Sequence, residues 1–478
     1  MNSLPARDVR ETESAKRADA RGKVVVFCKS QLCVNGHRKI SPEALLFPIS
    51  GKRTNGEINK LETADLSAHN WYRFILSYPP HLVRDYLNRF GADSSTVCLD
   101  PFCGTATTPV ECKKLGVPSI GVESHPMAFF AGQVKTDWTP DPDSLLAHAA
   151  DIAYETIREL ERDGISDEPK DVKQKIRAKN LKALPTESAS LLLANSISPL
   201  PLHKALTLLE KIGDRSRYHR HQLLALAKAL VTKIGNLHFG PEVGVGPAKL
   251  DAAVVAPWLD NIIAMVADLR QVRGNCHVSS KIIRADAREI QKVLNPNSVD
   301  MVITSPPYPN EKDYTRTTRL ESVLLGMLHT KLDLKSIKRG LMRSNTRNVY
   351  KGDDDDAWVV SHTEIQRIAN KIEQRRVEMG KTSGFERMYA KVTKLYFGGM
   401  ARHFNDLKAV LRPGAQLAYV VGDQASYLRV MIRTGQLLAD IAKQQGYEVL
   451  GIDLFRTRLA TATGDQLREE IVLLRWPG

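Results

Sequence analysis

Val97-Cys98-Leu99-Asp100-Pro101-Phe102-Cys103-Gly104-Thr105-Ala106-Thr107-Thr108 sets the fold class of this chain. The apolar run Val97 to Leu99 reads as a short strand. Asp100-Pro101 ends it, because proline has no N–H with which to continue a ladder. Gly104 lacks a Cβ and lets a ligand lie against backbone. A helix is expected through Val110 to Leu115, stopped by Gly116. Ser119 to Val122 then reads as a second strand, closed by Glu123. This β–loop–α–β unit is a nucleoside-binding arrangement, because open α/β sheets take ligands at strand carboxyl ends and an acid there can accept from both ribose hydroxyls.

Further along, Lys281 to Asp286 reads as a third sheet strand and Val299 to Ile303 as a fourth, followed by Thr304-Ser305-Pro306-Pro307-Tyr308. The two prolines stiffen that strand end and leave carbonyls free as acceptors, and the ring of Tyr308 can stack on a planar ligand. A helix ending at Arg412-Pro413-Gly414 precedes a strand over Leu417 to Val421. A helix over Thr434 to Gln445 then leads to a closing strand pair, Glu448 to Leu454 and Glu470 to Arg475. Residues 139–280 show helical periodicity instead, broken by Gly/Pro-rich Gly240 to Pro247, and read as a helical insertion. A second, basic insertion is expected over 331–393. The catalytic domain is then discontinuous, 67–138 and 281–478, behind a partly disordered arm, 1–66, in which Lys23 to Cys28 reads as an edge strand.

Lys plus Arg number 68 against 54 Asp plus Glu, a net charge of +14, and such a surplus favours a polyanionic partner. Six cysteines in 478 residues make no disulfide framework. Cys28, Cys33 and His37 lack a fourth ligand, so no metal is expected. No apolar run approaches the roughly 20 residues of a bilayer span, and the polar first 22 residues carry no secretory signal pattern, so a cytoplasmic protein without membrane contact is expected.

Taken in order, Asp100 to Gly104 with Thr107-Thr108, Gly121 to Pro126, Asp286 and Thr304 to Tyr308 resemble the motifs of the amino-group DNA methyltransferases of the TSPPY type. The similarity covers roughly residues 69–135 and 281–325. It implies a Rossmann-like, class I S-adenosylmethionine methyltransferase fold with a seven-stranded mixed sheet. It also implies transfer of a methyl group to an exocyclic amino group of a flipped base in duplex DNA. The serine form of the motif leans towards cytosine N4, with adenine N6 as the alternative.

On that resemblance, Tyr78, Asp100, Pro101, Phe102, Gly104, Thr105, Thr107, Glu123 and Asp286 form the cofactor site. Asp100 would hold the methionine end, Glu123 the ribose and Asp286 the adenine, although Asp286 also suits a helix cap. The sequence departs from the family at Ala106, where a second glycine is usual. Thr304 to Tyr308 form the catalytic loop: the Ser305 hydroxyl and the Pro306 carbonyl draw the amine hydrogens out of plane, and Tyr308 stacks on the base. No cysteine follows a proline, which sets the chain apart from cytosine C5 enzymes.

For nucleic acid, Arg316, Lys338, Arg339, Arg343 and Arg347 are the candidates. Between Lys331 and Lys351 seven basic residues stand against a single acid, Asp333. A run this one-sided reads as phosphate contact or as a solvated face neutralised by Asp353 to Asp356, and the helical insertion is the rival location. RNA amino-group methylation, a non-catalytic cofactor sensor, and a restriction or defence partner stay open. A dehydrogenase fits poorly, because the first loop lacks the three-glycine fingerprint.

Overall fold

The computed structural model describes residues 65–73, 77–169, 181–239, 242–310, 312–459, 464 and 466–478. The N-terminal arm up to residue 64, with its proposed strand and Cys28, Cys33 and His37, lies outside the described residues. Nine strands follow in chain order: β1 Cys98–Asp100, β2 Ser119–Val122, β3 Leu237–Phe239, β4 Val243–Val245, β5 Ser280–Ile283, β6 Val299–Thr304, β7 Leu411–Gly422, β8 Glu448–Leu459 and β9 Gln466–Arg475. Seven form one sheet in the order β5-β2-β1-β6-β7-β9-β8, while β3 and β4 pair as a separate antiparallel ribbon. Only β9 runs against its neighbours. This is the mixed, mostly parallel sheet of a Rossmann-like methyltransferase fold.

Period-two alternation gives each strand two apolar faces, because successive side chains point to opposite sides. Met301 and Ile303, Ala418 and Val420, Ile471 and Leu473 join Leu82, Val83 and Tyr86 of the helix Pro80–Arg89 on one face. Val302, Leu417, Tyr419, Val421, Val472 and Leu474 join Tyr396, Phe397 and Phe404 of the helix Tyr389–Leu407 on the other. Both faces are covered, so the central strands are buried throughout.

Between β2 and β5 run the helices Pro142–Arg162, Pro199–Ile212, His219–Ala229 and Val255–Val272. They share one core with the sheet-side helix Pro126–Thr136, in which Leu145, Leu208, Leu224 and Trp258 pack with Met127, Ala131 and Val134. The break expected at Gly240 to Pro247 does interrupt the helices, and within it β4 pairs with β3 just before it, Leu237 opposite Val245 and Phe239 opposite Val243. Three-residue strands are too short to show alternation, and the intervening glycines masked them.

Two other expectations change. The boundary at residue 393 falls inside the continuous helix Tyr389–Leu407. Arg412-Pro413-Gly414 is not a turn before a strand but an irregularity inside β7: from Val299↔Leu411 to Met301↔Gln416, β6 advances two residues and β7 five. A bulge absorbs the extra residues, with Gly414 at φ +87°.

Candidate active site

The loops that follow β1, β2, β5, β6 and β7 meet at the carboxyl edge of the sheet around one cavity of about 730 Å³. Tyr78, Pro101, Phe102, Gly104, Thr105, Thr107, Glu123 and Asp286 line it, and so do Ser305, Pro306, Pro307 and Tyr308. The candidate cofactor residues and most of the candidate catalytic loop therefore share one space. Asp100 and Thr304 stand behind the wall, both fully buried.

Asp100 fastens that wall together. Its Oδ1 accepts from Thr304 Oγ1 at 2.5 Å and from the Phe102 amide at 3.1 Å, and its Oδ2 accepts from the Tyr78 hydroxyl at 3.0 Å. Tyr78 also bonds Thr108, which donates to the Ile303 carbonyl at 3.0 Å. The first loop, the β6 loop and the N-terminal segment are thus tied at a single carboxylate. Burial pushes Asp100 up to about 6, outweighing the hydrogen bonds it accepts.

Glu123 holds the next loop. It accepts from the amides of Gly104 and His125, each at 2.7 Å. Burial pushes this carboxyl up to about 7. At His125 the same burial lowers the imidazole to about 4, so it is neutral; its Nε2 meets Thr318 Oγ1 at 3.1 Å. Lys135, also buried and lowered to about 7, donates to the Thr105 carbonyl at 2.5 Å and fixes the same turn from below.

Ala106 takes the left-handed conformation, φ 64° and ψ 44°, which explains why glycine suits this position. An L-residue there costs about 1–2 kcal/mol. The Ala106 side chain is fully buried, and its methyl would sit 3.4 Å from a Cβ on Gly132. Burying that methyl recovers about 0.8 kcal/mol. The burial offsets part of that cost, and the turn keeps its left-handed geometry with alanine in place.

Asp286 makes the expected cap and also faces the cavity. It caps the 3-10 turn Ala287–Lys292 by accepting from the Arg288 amide at 2.9 Å. The guanidinium of Arg288 grips the same carboxylate, with Nη2 to Oδ2 at 2.6 Å, and continues through Nη1 to Asp355. Asp355 is bound in turn by Arg402 at 3.3 Å.

In the candidate catalytic loop, the ring of Tyr308 lies against Gly422, where a Cβ would come within 3.0 Å of it. Burial raises the phenol, and the Ser305 hydroxyl hydrogen-bonds to it. Ser305 and Tyr308 are therefore pre-oriented as a pair.

The basic candidates separate into two groups. Arg343 is 4% exposed and saturated: it grips Asp353 with two bonds at 2.8 and 2.9 Å and donates to the carbonyls of Lys338, Arg339 and Leu341. Lys338 pairs with Asp313 at 2.9 Å. In this arrangement neither has a charge to spare for a phosphate. Arg339 and Arg347 are exposed, over Tyr350 and Phe385 respectively, and Arg316 is half-buried with an unpartnered Nε.

Several lining residues carried no sequence signal: Glu242 from the start of β4's approach, Lys312 beyond the catalytic loop, Gln424 after β7, and Arg456 and Arg458 on β8. Gln424 was within reach of the same rule that found Glu123, since it follows a strand's carboxyl end. Arg456 and Arg458 stand two apart and so share a strand face. Among the described residues no cluster of potential metal ligands occurs, and no helix is long and apolar enough to cross a membrane.

No family model matches the chain. It is 25% identical over 453 residues to the type II methyltransferase M.BsoBI of Geobacillus stearothermophilus, a match covering 86% of this chain and 84% of that protein. It is 29% identical over 179 residues, 35% of each chain, to the type II methyltransferase M.AvaI of a Nostoc species and of Anabaena variabilis. By these matches the chain is homologous, at modest identity, to type II methyltransferases, and to the first along most of its length.

Proposed function

We propose that the protein is a site-specific DNA methyltransferase that transfers a methyl group from S-adenosylmethionine to an exocyclic amino group, preferably cytosine N4, of a base flipped from duplex DNA. One observation carries the reading: Ser305, Pro306 and Tyr308 line the same cavity as Gly104, Glu123 and Asp286. Homology to type II methyltransferases supports it. Adenine N6 is the alternative acceptor.

The residues present fit the cofactor. Gly104, at φ +52°, has nothing within 4 Å of where a Cβ would stand, so the missing side chain leaves open space along the loop. The half-buried Glu123 carboxylate reaches the cavity as a ribose acceptor, and Phe102 and Asp286 complete the wall. When bound, the cofactor supplies an electrophilic methyl on a sulfonium. The chain's own residues hold the acceptor: the Ser305 hydroxyl and the Pro306 carbonyl accept from the amine, localising its lone pair, while Tyr308 stacks on the ring. The pocket of loops keeps the acceptor in line without a covalent nucleophile.

Expression in a methylation-free host, followed by sequencing that distinguishes N4-methylcytosine from N6-methyladenine, tests the proposal. Modified cytosine in one recurrent sequence is the expected result. Modified adenine selects the alternative, and unmodified DNA with a modified RNA pool overturns the DNA reading.

Cofactor affinity should depend on pH through Glu123. Only the ionised carboxylate accepts from two hydroxyls, and burial holds this group at about 7. Hydroxyl donation favours the charged form, so binding lowers the pKa and affinity is full above it. Titration calorimetry should therefore show the Kd for S-adenosylmethionine flat above pH 8 and rising as pH falls through 7 towards 6. In Glu123→Gln the affinity is weaker and this dependence flattens; an unchanged pH profile in that variant removes Glu123 from the ribose site.

A further inference from the structure

Lys312 is half-buried at the cavity wall, four residues beyond Tyr308. Its main chain is fixed on both sides: its amide donates to the Asn310 carbonyl at 2.5 Å, and its carbonyl accepts from Nδ2 of the fully buried Asn345 at 2.9 Å. Its ammonium makes no ion pair among the described residues; Glu242 and Arg458 act on it only at longer range, with opposite sign. Burial lowers its pKa. A partly desolvated charge left in this state is unfavourable until an anion arrives.

Arg458 supplies the second half. It lies on β8 with its side chain 41% exposed, and its nearest carboxylate, Glu469, is 3.5 Å away. That carboxylate is already held by Arg456 through both oxygens, at 2.6 and 2.9 Å. One acid therefore serves two guanidiniums, and Arg458 keeps spare donors at the cavity. Glu469 and Arg456 are also the charges that act on the Tyr308 phenol, which places this hairpin beside the catalytic ring. The other acid facing this side, Glu242, is exposed and forms no ion pair with either cation.

We infer that Lys312 and Arg458 form a clamp for the phosphodiester of the nucleotide whose base enters the cavity beside Tyr308. The inference rests on the proposed function and adds to it the residues that grip the backbone of the target nucleotide. A phosphodiester carries one negative charge and accepts from both a point ammonium and a guanidinium fork. The clamp contains no base-reading group, so it orients the nucleotide without choosing its sequence.

The test uses the full chain and duplex DNA carrying the methylated sequence, with binding measured over a range of salt. Each phosphate contact removed should lower the slope of log K against log salt by about 0.9. The double variant, which strips that single phosphodiester of both cations, should lose about one such contact, and Lys312→Gln and Arg458→Gln each a part of it. Lys312→Arg should keep the wild-type slope. Cofactor Kd should be unchanged, and KM for DNA should rise by a similar factor in every flanking sequence. Arg162→Gln, in the helix Pro142–Arg162 with its side chain 72% exposed, controls for a bare loss of charge. A double variant with the slope of wild type, or of the Arg162 control, overturns the clamp, and so does a cofactor Kd that rises as the slope falls. Absence of methylated DNA from the wild type would instead strike the functional reading, which the binding slope does not use.

Discussion

Ser305→Ala should lower methyl transfer by about 10²–10³-fold, the scale expected when one pre-aimed polar group at the reacting centre is removed. Tyr308→Ala falls less far, about 5–150-fold, matching the roughly 1–3 kcal/mol that base–aromatic stacking supplies. Tyr308→Phe keeps the stack and loses only the hydrogen bond to Ser305, worth about 0.5–1.5 kcal/mol. The three variants should therefore rank in that order in single-turnover rates. Cofactor Kd should stay near wild type in all three, because Tyr78, Gly104 and Glu123 approach the cavity on other loops. Wild-type rates in Ser305→Ala and Tyr308→Ala would remove the loop from the chemistry. A parallel loss of cofactor binding would move Tyr308 into the cofactor site.

Arg288→Met should be the most destabilising single change near the site, by about 3–5 kcal/mol in urea unfolding. Arg288 is 7% exposed and its partner Asp355 4%. Removing the guanidinium leaves two carboxylates, Asp286 and Asp355, facing a vacated low-dielectric space. Arg402 still reaches Asp355 at 3.3 Å, which argues for the lower end of the range. Arg288→Lys should recover little, because a point ammonium cannot bridge two carboxylates as the planar fork does. Pairing Arg288→Met with Asp355→Asn should restore part of the loss, and the difference measures the coupling. A loss below about 1 kcal/mol would show that Arg288 is not the tie between the β5 loop and the segment carrying Asp355.

The sheet was legible where the residues act locally. Val299 to Ile303, apolar except for Asp300, is buried because both sheet faces are covered, and Glu123 stands at a strand end whatever the rest of the chain does. Charge pairing was legible only in part. The run from Lys331 to Lys351 carries seven basic residues and one acid; Asp353 just beyond it was in view as a neutralising acid and Arg343 does pair with it, but the pairing of Lys338 with the distant Asp313 was not. A pairing that tertiary structure creates leaves no trace in local composition. Lys312 and Arg458 stayed invisible for the converse reason: isolated cations in ordinary contexts become notable only when the fold withholds their counter-ions. The dual role of Asp286 was posed in sequence as a choice, but one carboxylate has lone pairs enough to cap a turn and still face a cavity.

The strand order β5-β2-β1-β6 places β1 between a neighbour that follows it closely and one that arrives much later. Roughly 180 residues separate the end of β2 from the start of β6. At synthesis rates of about 5–20 residues per second, β1 waits about 10–35 seconds for that partner. During this interval the helix Pro80–Arg89, already made, can cover one face of β1, while its free edge and the other face, which later packs against the helix Tyr389–Leu407, stay open. Compaction of the helices of residues 142–272 against the Pro126–Thr136 helix, with which they share a core, leaves that open face and edge of β1 waiting for β6 and the helix Tyr389–Leu407.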